Sequence, residues 1–318
     1  MTKETIFMTR QLPEEGINEL NKTFNLVINT EDRSLTHEEI IEGVKDAKYL
    51  VPLLSDRIDK NVIEAGKRLK LIANYAVGVN NIDLGAAKKK GILVTNTPGV
   101  LTNATADLTM ALLLAVARRI PESDIFCRQG KFKGWAPLLM LGKGLESKVL
   151  GIVGMGRIGS AVAKRAEAFG MKIIYHSRSS NKTIEKELSA EKVTFKELCR
   201  QADFISLHVP LTEETRHLIG SEELNQMKKG VVIINTSRGQ VIDEEALINS
   251  LKGHVGGAGL DVFYDEPFIP DSLKLPNVVL TPHTGSATLE TRTAMAEIVI
   301  KNILAVQRGE KPPNLVNT

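Results

Sequence analysis

Val149-Leu-Gly-Ile-Val-Gly-Met-Gly-Arg-Ile-Gly159 joins a short apolar run to glycines spaced GxGxxG, and Ser160 to Phe169 continues as an alanine-rich helical run. A bare GxGxxG also occurs in ordinary turns; here a strand pattern leads in and a helix pattern leads out, the setting the motif requires. Gly154 permits the tight turn, Gly156 lets the backbone approach a pyrophosphate, and Gly159 lets the helix pack closely on its strand. The first helical turn, with Arg157 and Ile158, then points unpaired N–H groups and partial positive charge at the phosphates. The stretch predicts a dinucleotide-binding α/β fold.

Outward from it, apolar runs alternate with helical stretches along the whole chain, the mark of βαβ units and parallel sheets. C-terminal to the opening strand at Val149 to Val153, strands are expected at Lys172 to His176, Phe204 to Val209, Val231 to Asn235, Gly257 to Val262 and Val278 to Thr281. Before it, strands are expected at Ile6 to Met8, Leu26 to Ile28, Tyr49 to Leu54, Leu71 to Ala76 and Ile92 to Thr95. Thr102 is expected to cap a long apolar helix running to Arg118-Arg119, and Lys131 to Gly144 reads as a long loop. A helix at Thr288 to Arg308 has no strand after it. The 318 residues exceed what one core usually serves, about 250 to 300, so two domains are expected.

Composition narrows the function classes. The chain is 42% hydrophobic and 25% charged with a net charge of only +3, which fits a globular protein and argues against a nucleic-acid partner. Lys88-Lys89-Lys90 precedes Gly91 at an expected helix end, where cations suit the dipole. Cys127 and Cys199 have neither CxxC nor CxxH spacing, so no metal site or disulfide framework is expected, and a reducing cytoplasm fits. The longest apolar run, Met110 to Ala117, falls far short of the roughly 18 residues that span a bilayer, so no membrane partner is expected.

NAD-binding versions of the motif place a carboxylate about 20 positions on, against the ribose hydroxyls. Here the chain reads Tyr175-His-Ser-Arg-Ser-Ser180. Ser177, Arg178 and Ser179 can bind a 2′-phosphate by charge-assisted hydrogen bonds, so NADP(H) is the expected cofactor, with NAD(H) the alternative a merely polar turn would accept. Ligands of such sheets bind beyond the carboxyl ends of the strands, where Arg238, Glu266 and His283 are expected. A guanidinium to hold a carboxylate, an imidazolium to donate a proton and a carboxylate to keep the imidazole charged and oriented make a set suited to carbonyl reduction. His208, also at a strand end, is the rival acid or a neighbour of the cofactor. HExxH, GxSxG and paired Cys–His arrangements are absent from the sequence.

Gly154 to Gly159, His208-Val-Pro-Leu-Thr212, Asn235-Thr-Ser-Arg-Gly239, Gly257-Ala-Gly-Leu-Asp-Val262, Asp265-Glu-Pro267 and Pro282-His-Thr-Gly-Ser286 together resemble the D-isomer-specific 2-hydroxyacid dehydrogenases. Leu53-Leu-Ser-Asp-Arg-Ile-Asp59, Asn96-Thr-Pro-Gly-Val-Leu-Thr102 and Ala104-Thr-Ala-Asp107 resemble the glyoxylate/hydroxypyruvate reductase branch. The resemblance implies two doubly wound parallel-sheet domains. A Rossmann dinucleotide-binding domain, 102–286, would be inserted into a flavodoxin-like substrate domain of residues 1–101 plus 287–318.

By the same resemblance Arg238, Glu266 and His283 fall on the catalytic groups, and Asp261 on the residue that receives the nicotinamide carboxamide. His208, Pro210, Thr215 and Thr236 fall on further cofactor contacts. Val77 and Gly78 correspond to backbone donors for the substrate carboxylate, and Leu53 to a pocket wall. Trp135 matches an aromatic that reaches the neighbouring subunit's active site, which implies a homodimer; its reading as a plain interface anchor stays open. Asn80 stands where the family usually carries Asp, and the Cys common before the Pro-Leu-Thr motif is replaced. The implied activity is NAD(P)H-dependent reduction of glyoxylate or hydroxypyruvate to the D-2-hydroxy acid. D-lactate or D-3-phosphoglycerate chemistry, or a non-catalytic nicotinamide-sensing corepressor or scaffold, are the alternatives.

Overall fold

Period-two alternation in the short apolar runs is what lets each strand feed two cores at once. In the computed structural model, which describes residues 3–317, the chain divides into two units. One runs up to Leu101 and resumes at Ser286; the other is Thr102–Gly285.

The first unit holds a parallel sheet of β1 (Thr5–Met8), β2 (Asn25–Ile28), β3 (Tyr49–Val51), β4 (Leu71–Ala73) and β5 (Leu93–Thr95), in the order β2-β1-β3-β4-β5. Ile6, Met8, Tyr49, Val51, Leu71 and Ala73 face one core, closed by the helices Glu14–Thr23 and Leu289–Gln307. Phe7, Leu50 and Ile72 face the other, closed by His37–Val44, Lys60–Ala65 and Leu84–Lys89. Local chemistry sets the helix starts: Thr36 and Glu39 make a capping box, and the Asp59 and Asp83 carboxylates accept first-turn N–H groups. β3 and β4 end three residues earlier than expected. Pro52 has no N–H for the ladder, and pairing survives beyond it only as an isolated bridge between Leu53 and Tyr75. The Leu289–Gln307 helix belongs to this unit, tied by the Tyr75 hydroxyl donating to the Arg292 carbonyl at 2.6 Å. After it, Leu315 pairs antiparallel with Thr95 and covers the β5 edge.

The second unit holds β6 (Val149–Val153), β7 (Lys172–His176), β8 (Glu191–Lys192), β9 (Phe204–Leu207), β10 (Val232–Asn235), β11 (Gly257–Leu260) and β12 (Val278–Leu280), ordered β12-β11-β10-β9-β6-β7-β8 and parallel throughout. The chain reverses direction of winding between β6 and β9, the switch point where such sheets bind ligands. β8 was not expected: two exposed charged residues carry no apolar signal, and only pairing with β7 makes them a strand. The Thr102–Ala117 helix starts with Thr102 inside it rather than as its cap, and it stops short of Arg118. Arg119 takes a left-handed conformation, and a second helix, Ile120–Arg128, follows with Pro121 in its first turn. Residues 131–144 form no helix or strand.

Candidate active site

The glycine loop connects β6 to the Arg157–Ala168 helix. Gly154 N–H donates to the His176 carbonyl at 2.8 Å, and His208 N–H donates to the Val153 carbonyl at 2.8 Å, so three strand ends meet around the turn. Gly154 has φ +99, and a Cβ there would lie 2.6 Å from the His208 carbonyl oxygen. At Gly159 a Cβ would come within 2.1 Å of the Gly154 oxygen, whereas at Gly156 it would meet nothing within 4 Å. The outer glycines are therefore demanded by the protein's own packing. Gly156 is not, and its bare backbone leaves room for a phosphate group at the helix N-terminus, where no side chain caps. These residues fit a dinucleotide.

Beyond β7, Ser177 is half-buried while Arg178 and Ser179 are exposed. Lys192 of β8 donates to the Arg178 carbonyl at 3.3 Å, adding a cation that sequence reasoning missed along with the strand. Glu214 was missed too: the Arg178 charge contributes to holding its carboxyl below the ordinary value, after the Thr212 hydroxyl and a backbone N–H. In the same loop the Thr215 hydroxyl donates to the Pro210 carbonyl at 2.6 Å. Thr236 is hydroxyl-paired with Thr109 at 2.9 Å.

The candidate catalytic groups lie past the ends of β10, β11 and β12, which are neighbours in the sheet. His283 Nδ1 lies 2.7 Å from Glu266 Oε2, and Glu266 Oε1 accepts the Phe263 N–H at 3.1 Å. Burial opposes the charge on Glu266, but the His283 imidazole, the Phe263 N–H and the Arg238 guanidinium together hold its carboxyl below 4.5. Arg238 is half-buried; burial lowers its pKa while the Glu266 charge opposes that shift, which places the guanidinium within electrostatic reach of the pair. Its Nη1 donates to the Ser237 carbonyl at 2.6 Å.

Asp261, only 1% exposed, organises the rim. Its Oδ1 accepts from the Thr281 hydroxyl and the Thr284 N–H, both at 2.7 Å, and its Oδ2 accepts from Gly285 N–H at 2.8 Å. Its carbonyl also receives the His283 N–H at 3.0 Å. His283 is thereby held at φ +52, a left-handed conformation that costs a non-glycine residue about 1–3 kcal/mol and persists where surrounding bonds over-determine it. His208, past the end of β9, has a different environment. Its Nε2 pairs with the Ser206 hydroxyl at 2.8 Å, and burial pushes its pKa down to about 3, so the ring is neutral near pH 7 and has no proton to spare as a general acid.

In the first unit, the Leu53 N–H donates to the buried Asp56 carboxylate at 2.7 Å, and Val77 and Gly78 are half-buried just past β4. In the second, Trp135 is 84% exposed and Leu138 80%, with Phe132 and Leu141 also exposed. Among the described residues no helix is long and apolar enough to cross a membrane.

Residues 110–285 match the family described as D-isomer specific 2-hydroxyacid dehydrogenase, NAD binding domain. The chain is 54% identical to the glyoxylate reductase of Thermococcus litoralis, over 99% of this chain and 97% of that one. A crystal structure of the TT0316 protein from Thermus thermophilus superposes with a TM-score of 0.93 at 48% identity, covering 98% of this chain and 99% of the other. The NADPH-dependent glyoxylate/hydroxypyruvate reductase of Sinorhizobium meliloti, in complex with NADP and malonate, superposes with a TM-score of 0.87 at 31% identity over 99% of this chain and 97% of that one.

Proposed function

The chain belongs to the D-isomer-specific 2-hydroxyacid dehydrogenases, and from that membership we propose that it reduces glyoxylate or hydroxypyruvate to the D-2-hydroxy acid. A reduced nicotinamide cofactor supplies the hydride when bound. The residues that would hold it are Gly154, Gly156, Arg157, Ile158 and Gly159 at the pyrophosphate, Ser177, Arg178 and Ser179 at the adenosine ribose, and His208, Pro210, Thr215, Thr236 and Asp261 along the remaining strand ends.

One observation carries the reading: the imidazole of His283 is bonded at Nδ1 to the Glu266 carboxylate. With Nδ1 engaged, Nε2 is the nitrogen that gives its proton to the substrate's carbonyl oxygen, while Glu266 stabilises the imidazolium before transfer and keeps the ring in place. Arg238 holds the substrate's carboxylate and carbonyl oxygens in its fork. In the first unit, the family correspondence makes Val77 and Gly78 backbone N–H donors to a carboxylate and Leu53 an apolar substrate contact. Arg238 and His283 thus serve substrate binding as well as chemistry.

NADP(H) is the preferred cofactor in this reading. The exposed turn after β7 carries Arg178 and no carboxylate, and Lys192 stands beside it. A reductase relative that is NADPH-dependent lends support. The working form is a homodimer, for which the exposed apolar residues from Phe132 to Leu141 and Trp135 among them are the support. The two free cysteines suit a reducing cytoplasm. A panel of 2-oxo acids assayed against NADPH and NADH tests the whole reading. Fastest turnover of glyoxylate or hydroxypyruvate with NADPH is expected. Preference for pyruvate or a phosphorylated oxo acid would move the assignment within the family, and dinucleotide binding without turnover would turn it into a sensor.

A further inference from the structure

The turn after β4 is held by the Thr97 backbone N–H and two asparagine side chains. The Ala76 carbonyl accepts the Thr97 N–H at 2.9 Å, the Val77 carbonyl accepts Asn96 Nδ2 at 2.8 Å, and the Gly78 carbonyl accepts Asn74 Nδ2 at 2.8 Å. Across a planar trans peptide the N–H points opposite to the carbonyl of the same unit. Fixing these carbonyls therefore turns the N–H groups of Val77 and Gly78 away from the Asn96–Thr97 segment, and that of Val79 away from Asn74. Among the described residues none of these N–H groups donates a hydrogen bond within the protein, although Val77, Gly78 and Val79 are all half-buried. Half-buried donors left without a protein partner are costly unless solvent or a ligand meets them, and a row of them forms an anion-binding concavity.

Asn74 is itself held. It is 1% exposed, and its Oδ1 accepts Asn81 Nδ2 at 3.2 Å, which fixes the amide so that Nδ2 remains for Gly78. Asn81 Nδ2 also donates to the Leu53 carbonyl at 3.0 Å, tying the same frame to the loop after β3. The frame is neutral, so it aims donors without placing a fixed charge beside the anion.

We propose that Asn96 and Asn74 are positioning residues that aim the N–H groups of Gly78 and Val79, beside the Val77 N–H set by the Thr97 backbone, at the substrate's carboxylate, with Val79 as a donor additional to the other two. The inference rests on the reading in which Val77 and Gly78 receive that carboxylate. It concerns binding common to ground state and transition state, so its signature is a raised KM with kcat preserved.

Asn96→Leu removes the donor, keeps the branching and heavy-atom count of the side chain, and adds no charge. The expected result is a KM for glyoxylate raised about tenfold, kcat changed by no more than about twofold, and the inhibition constant of oxamate, an unreactive carboxylate isostere, raised in parallel. Cofactor affinity, read by fluorescence titration, stays at the wild-type value, and Asn96→Ser, which keeps a shorter donor, recovers part of the loss. Asn96→Ala serves if the leucine variant does not fold. Wild-type KM and oxamate affinity in the donor-less variant overturn this inference alone. A wild-type enzyme that neither reduces glyoxylate nor binds oxamate overturns the parent reading with it.

Discussion

His283 has the environment of a proton donor and His208 does not, although both follow strand ends. One ring is bonded to a carboxylate; the other is bonded to a hydroxyl and desolvated to a pKa of about 3. In the proposed reaction His283→Ala is expected to lower kcat by about 10²- to 10⁴-fold with cofactor affinity little changed, whereas His208→Asn keeps its acid–base function intact. Steady-state kinetics on the two variants decide the matter, and undiminished turnover without His283 removes it from the role. The same two environments shape acid stability. Glu266, held below 4.5 when folded, contributes stability above that value and loses it as pH falls through its folded value. His208, whose pKa drops from 6.5 to about 3 on folding, contributes stability above 6.5 that is lost as pH falls toward 3, because the unfolded ring gains the proton first. Thermal unfolding from pH 7 downward should therefore show His208→Gln less acid-sensitive than wild type beginning near 6.5. The wild-type advantage over Glu266→Gln should shrink only below 4.5.

Among elements, the β6 turn and its helix separate what folding requires from what the cofactor requires. Gly156→Ala adds a methyl group into space free of protein atoms, at φ −80, a value any residue adopts. It is expected to fold with an unchanged Tm and to bind dinucleotide weakly, since the methyl group occupies the phosphate's approach. Gly159→Ala drives a Cβ to within 2.1 Å of the Gly154 carbonyl, so helix and strand must separate, at a cost of roughly 1–3 kcal/mol. Calorimetry beside a fluorescence titration of NADPH tests the contrast; a Gly156→Ala protein with full affinity would show that no phosphate approaches that backbone. The GxGxxG spacing was legible because Gly154 takes a left-handed φ of +99 and Gly159 abuts the Gly154 carbonyl one turn back, demands that a local pattern records. β8 and its Lys192 were not, since Glu191-Lys192 is a strand only by virtue of β7. The early ends of β3 and β4 were legible in Pro52 alone, a signal weaker than the apolar run on either side of it.

For the whole molecule, the apolar side chains from Phe132 to Leu141 are the largest departure from a soluble surface, with Trp135 and Leu138 at 84% and 80% exposure. If a second copy covers them, Leu138→Asp with Leu141→Asp should convert a dimer to a monomer by light scattering, while leaving the thermal unfolding of the separate chain similar to wild type. A wild-type monomer at assay concentration would dispose of the homodimer. Local patterning by itself determined that this chain would form parallel α/β sheets, that β6 would carry a phosphate-binding turn, and that Arg238, Glu266 and His283 would follow strand ends. All of that follows from period-two burial and from backbone conformations that only nearby residues can demand. Tertiary structure alone decided that β10, β11 and β12 lie side by side, how closely Glu266 approaches His283, that His208 stays neutral, and that Asn96 and Asn74 hold the Val77 and Gly78 carbonyls. Strand order, desolvation and amide orientation are set by partners far away along the chain, and no local pattern encodes them.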